Sequence, residues 1–183
     1  MDFAPSDLTD DRAENMWRSR YRERRAILQI VAEAIYLGAL ILATAAALLL
    51  VWQGTPRSWL GVDAARYVTF RIYAFAWISG TLGGTLFSVK WLYHSLGKGI
   101  WNADRLAWRV FTPHLSGAVS FGLLALATSG VFEILNHELL RSGPAVVGTA
   151  FVLGYFSDYT VARLYKVAKH LLGGPHEDRE QPR

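Results

Sequence analysis

The chain contains no cysteine. That excludes disulfides, thiolate metal ligands and thiol catalysis. Charge is absent over long stretches: no Asp, Glu, Lys or Arg occurs at 34–56, 72–89, 110–132 or 142–157. Catalytic signatures are missing as well. There is no paired-carboxylate protease pattern, no HExxH and no G-x-S-x-G. The polar segments between apolar runs are too short for a separate soluble enzyme domain. The sequence is therefore read as non-enzymatic, with no cofactor and no metal site. His94 and His114 alone are too little to hold haem. Glu133, His137 and Glu138 have helical spacing on an exposed loop helix and read as solvent-facing.

What is present is apolar surface. Of 183 residues, 52% are hydrophobic and seven are Trp. A helix rises about 1.5 Å per residue, so roughly 20 apolar residues cross the ~30 Å hydrocarbon core of a bilayer. Three of the charge-free runs reach that scale and the fourth is short. The expected fold is all-α: a polytopic integral membrane protein of four transmembrane helices. An N-terminal amphipathic cytoplasmic helix and a C-terminal basic amphipathic helix flank them. The expected division is 1–29 for the N-terminal helix, 30–164 for the membrane domain and 165–183 for the basic helix end and a disordered tail. The spans are placed at about 30–52, 69–93, 106–134 and 143–161.

Orientation follows from the basic residues. The first 25 residues, the 90–109 connection and the segment from Arg163 onward carry fifteen of the 19 Lys and Arg, leaving four in the other loops. This bias predicts that both termini are cytoplasmic, and the expected location is the inner (cytoplasmic) membrane of a bacterium. The formal net charge of +4 reflects that flank and points to anionic lipid headgroups, with no nucleic acid implied. The N-terminal segment is mixed in charge and does not read as a cleavable signal. A helix over about 7–33 is expected, capped at Asp7 or Thr9, with Trp17, Tyr21, Ile27 and Val31 on one face. Arg18, Arg20, Arg22, Arg24 and Arg25 on this side, with Arg163, Lys166 and Lys169 in the tail, are the candidate contacts for lipid or a cytoplasmic protein partner.

Within the spans, two features stand out. Gly80, Gly84 and Ser88 recur every four residues with Gly83 beside them, a spacing that lets helix backbones approach closely in lipid. Second, matching the spans in depth places Gln29, Glu33, Ser88, Lys90, His94, Arg109, His114 and Asp158 in one layer near the cytoplasmic side. Ionisable groups inside spans are costly and commonly pair or line a cavity. Gln29, Glu33, Lys90, His94, His114 and Asp158 are thus candidates for an ion pathway or gate. Pro113 is expected to bend span three, because it removes a backbone donor and frees a carbonyl near residue 109. Ser157 and Asp158 form the other hinge candidate. Asp158 should pair with Lys90, His94, Arg109 or His114, or else cap a new helix after a break.

Three functions fit these features. The first is a homo-oligomeric ion channel or pore, with the polar layer as pathway or gate. The second is a non-catalytic anchor or signalling subunit that docks a cytoplasmic partner. The third is a small proton-coupled transporter using Glu33.

Overall fold

A computed structural model describes residues 21–129 and 142–171. Among the described residues the chain is helical, with no strand. α1 is Arg24–Gln53, α2 is Thr55–Leu60, α3 is Ala64–Gly97, α4 is Leu106–Thr128, α5 is Gly143–Tyr155 and α6 is Ser157–Leu171. Among the described residues three helices are long and apolar enough to cross a membrane, or four if the bent pair α5–α6 counts as one.

The expected N-terminal helix falls mostly on residues 1–20, outside the described residues, as do the tail beyond 171 and Glu133, His137 and Glu138. Where it enters the described region it differs from expectation. Tyr21 to Glu23 are not helical, and Glu23 is extended before the first turn at Arg24. At the far end of α1, Gly54 adopts φ 82° and its N–H caps Leu50 and Val51, a left-handed conformation that glycine takes without a Cβ penalty. Pro56 then sits in the first turn of α2, where its missing N–H costs nothing. Asp63 caps α3 by accepting from Arg66 N at 2.9 Å. Asn102 accepts from Asp104 N at 3.0 Å and opens a short 3-10 turn that leads into α4.

α3 is the central helix, packed along α4, α5 and α1. An apolar core at one end joins Val51, Phe75, Ala76, Leu124, Ala127, Val146 and Ala150. Below it the contacts turn to backbone, because the residues there are small. A Cβ on Gly80 would lie 2.9 Å from Ser116 O, and one on Gly84 would lie 3.0 Å from Pro113 Cα. Gly80 and Gly84 therefore face α4. Gly83 faces α5 instead, with Tyr155 N 2.7 Å from its notional Cβ. The partners of the small-residue stripe are other helices of the same chain.

The fourth span departs from expectation. No single helix covers 143–161: α5 ends at Tyr155, Phe156 leaves the helical region (φ −102°, ψ 28°), and α6 leaves at 87°. At 13 residues, α5 rises only about 20 Å. The break is anchored from outside. Gly154 lies against the Gly80 backbone, while Ser116 Oγ donates to Ser157 Oγ at 2.8 Å. The chain pivots on one residue between those two fixed points.

Candidate functional site

The expected polar layer resolves into one buried cluster and several separate groups. α1 places Glu33 and α4 places Arg109 on facing sides, with side-chain exposures of 0% and 3%. Arg109 Nε donates to Glu33 Oε1, forming a buried ion pair. Trp101 Nε1 donates to the other carboxylate oxygen at 3.2 Å. Arg109 Nη2 donates to Asn102 O at 3.2 Å, and its guanidinium lies 5.7 Å from the Trp101 ring centroid. Tyr21 completes the cluster: its hydroxyl accepts from Trp101 N at 3.0 Å and its ring meets Trp101 edge-on at 5.8 Å.

Such a pair is explicable only as a set. Two desolvated charges cost several kcal/mol each unless their remaining donors and acceptors are filled. Here both carboxylate oxygens and two guanidinium nitrogens are filled, and a planar ring covers the cation. Chemically the cluster is a lock between α1, the 97–105 connection and α4. It leaves no free acid or base. Beside it is a cavity of about 300 Å³ lined by Trp91, Ser95, Ile100, Arg105, Trp108 and Arg109. Phe87, Trp91, Trp108 and Tyr155 form an edge-to-face group next to it, with centroids 5.9–6.3 Å apart.

The other expected pathway residues do not join Glu33. Gln29 is exposed, although it lies one turn away on the same helix. Lys90 is exposed with its ammonium 6.0 Å from the Tyr155 ring. His94 stacks on Tyr93 at 4.3 Å. His114 is exposed and bonds to Tyr36 through Nε2 at 2.8 Å, while the Tyr36 hydroxyl donates to Val110 O at 3.2 Å. Asp158 is exposed and pairs with none of Lys90, His94, Arg109 or His114. The reason is the bend, which leaves the residue after Ser157 on the outside of the turn. Of the two readings of Asp158, the start of a new helix is the one that matches its place in the first turn of α6.

The hinge candidate Pro113 is buried inside α4. Ser88 is fully buried, and its hydroxyl and that of Ser79 have no hydrogen-bond partner among the described residues. Arg22, Arg24, Arg25, Arg163, Lys166 and Lys169 are all exposed, while Arg18 and Arg20 lie outside the described residues. Sequence reasoning missed Trp101 and Tyr36, and it set Tyr21 on the face of an N-terminal helix where the structure sets it against Trp101. Trp101 had one available signal, its position beside the capping residue Asn102 and eight residues before Arg109. Comparison with protein families, with curated proteins and with solved structures yields no match to this chain.

Proposed function

We propose that the protein is a non-catalytic integral membrane anchor or signalling subunit. In this reading it holds a basic amphipathic helix flat on the cytoplasmic face of a bacterial inner membrane, where the helix engages anionic lipid headgroups and docks a cytoplasmic partner. The observation that carries this is the 87° turn at Phe156. It redirects a chain that has run along the bundle into a helix lying across it. On α6 the residues Val161, Leu164, Ala168 and Leu171 recur at apolar helical spacing, with Arg163, Lys166 and Lys169 set apart from them, the pattern of an interfacial helix.

Depth along the helices supports a helix sunk into the interface. Ser157, bonded to Ser116, starts α6 seven residues, or about 10 Å, inside the level of Arg109, the depth to which an interfacial helix buries its apolar face. Glu33, in the ion-pair cluster, and Val51, whose carbonyl accepts from Tyr67 Oη at 2.9 Å, are separated by about 27 Å of helix. That is close to a hydrocarbon thickness. The basic residues of the N-terminal flank and of 98–105 then lie beyond the Glu33 end, the end that the bias in Lys and Arg assigns to the cytoplasm. Arg163, Lys166 and Lys169 reach toward it from α6, as long basic side chains do. Between the two limits large apolar side chains are exposed, with Leu42 at 73% and Phe111 at 66%, as a lipid-facing surface requires, and the exposed His114 there is bonded to Tyr36.

The homo-oligomeric pore is the second reading. It is favoured by α1, whose most apolar stretch is only 17% buried within one chain and so is open to a neighbouring copy. Within a single chain the small-residue contacts close the bundle, so a pathway has to run between copies. The proton-coupled transporter has less support, because both oxygens of Glu33 are engaged by Arg109 and Trp101. Ion flux in proteoliposomes separates the readings. The anchor predicts K⁺ and H⁺ flux no greater than in protein-free vesicles, for wild type and Glu33→Gln alike. Steady flux whose selectivity changes in Glu33→Gln overturns the anchor in favour of the pore.

A further inference from the structure

The bend at Phe156 leaves a space in its inner angle. A groove of about 760 Å³ is lined there by Leu123 of α4, by Val152, Leu153 and Phe156, and by Tyr159, Thr160, Arg163 and Leu164 of α6. Its walls are almost wholly apolar except at Arg163. Its lining comes from both arms of the bend, on the flank of α6 where Leu164 of the apolar face meets Arg163 of the basic one. It holds far more than one side chain.

The one charge on the rim is held in place. Arg163 Nε donates to Tyr159 Oη at 2.9 Å, Nη2 donates to the same oxygen, and the guanidinium stacks on the Tyr159 ring at 5.0 Å. A guanidinium has five N–H donors in a fixed fork. Two are used on Tyr159, which leaves three for an external acceptor, a geometry suited to the oxygens of a phosphate. Its placement on the tyrosine also removes much of the side-chain freedom that an exposed arginine would lose on binding.

We propose that this crook binds one anionic glycerophospholipid of the cytoplasmic leaflet. An acyl chain lies against Leu123, Val152, Leu153, Phe156 and Leu164, and the headgroup phosphate sits on Arg163. The occupant is chosen by complementarity: a long apolar wall that ends in a single immobilised cation matches a molecule with an alkyl chain and an adjacent anion. The inference rests on the interfacial placement of α6 given above. It goes further in naming one lipid, one residue and one groove, where that reading requires only a diffuse basic surface.

The test uses the full chain purified in mild detergent and titrated with phosphatidylglycerol or phosphatidylcholine, with retained lipid counted by native mass spectrometry. Wild type should retain one phosphatidylglycerol in preference to phosphatidylcholine. Arg163→Gln should reduce that preference by about tenfold, the scale of losing one charge-assisted hydrogen-bonding partner. Arg57→Gln, which removes an exposed cation on α2 that does not line the groove, should keep it. Leu153→Trp should fill the groove and abolish retention of both lipids, with circular dichroism reporting that the helices persist. Equal retention of the two lipids by wild type, an unchanged preference in Arg163→Gln, or full retention in Leu153→Trp each overturns the proposal. These outcomes are independent of ion flux. Absence of a lipid preference together with absence of flux removes the lipid site and leaves the anchor standing, whereas flux removes the anchor.

Discussion

Gly154→Ala is the substitution whose outcome follows most directly from the packing. A Cβ at this position would lie 2.7 Å from Gly80 Cα and closer still to the Gly80 carbonyl. Carbon atoms in contact prefer roughly 3.5–4.0 Å, so α5 would have to move away from α3 by about 1 Å. Neither neighbouring atom belongs to a side chain that could rotate aside. Overpacking of this kind costs about 1–3 kcal/mol. Alanine in place of glycine in a helix interior returns about 1 kcal/mol, which leaves a net loss of up to about 2 kcal/mol. The same helix supplies the control. A Cβ on Gly148 meets nothing within 4 Å, so Gly148→Ala should stabilise by about 0.5–1 kcal/mol. Reversible unfolding in mixed micelles, followed by circular dichroism, measures both. The two variants should shift the midpoint in opposite directions. If Gly154→Ala is as stable as Gly148→Ala, the close approach of α3 and α5 is wrong.

Two other sites give quantitative expectations in the same assay. Arg109→Leu leaves Glu33 as an unpaired buried carboxylate and should cost about 3–5 kcal/mol, whereas Glu33→Leu combined with Arg109→Leu should recover most of it; a loss below about 1 kcal/mol for the single variant would mean that the pair is not desolvated. Ser157→Ala removes the bond that Ser116 donates at 2.8 Å and should cost about 0.6 kcal/mol, with roughly 1.7 kcal/mol as the upper limit for such a bond between membrane helices. A cost well above that limit would show that the hydroxyl fixes the bend by more than one hydrogen bond.

The helices themselves were legible in the sequence because each has its own signature. The charge-free runs around Leu42 and Leu123 mark helices by composition alone, and Gly54, Pro56, Asp63 and Asn102 mark ends through local backbone chemistry. The stripe Gly80, Gly84 and Ser88 was legible as a close contact, although only the fold shows that Gly83 turns the stripe toward a second partner. Glu33 and Arg109 could be assigned to one depth from span alignment, but sharing a depth did not establish contact. Gln29, His94 and His114 had the same depth argument and lie elsewhere around the helices. Trp101 escaped notice because its role depends on two charges, 68 residues upstream and eight residues downstream. The bend at Phe156 was visible only as an alternative. Its cause is the pair of contacts from Gly80 and Ser116, and no periodicity within 143–171 encodes them. Tyr155 and Phe156 are ordinary helix residues locally, so the local signal favoured continuation.

The central claim is that the chain turns at Phe156 and lays α6 along the membrane surface. Single-cysteine spin labels moved from 150 to 171 in liposomes containing anionic lipid test it directly, and the absence of any native cysteine makes each label unique. Accessibility to oxygen and to a water-soluble nickel chelate then gives the depth at every position. The account predicts that depth changes steadily through Tyr155 and then holds constant on average from Ser157, oscillating with a period of about 3.6 residues with Val161 and Leu164 on the lipid side. A depth that keeps changing by about 1.5 Å per residue through Val161 would mean that one straight helix crosses the bilayer, and would contradict it.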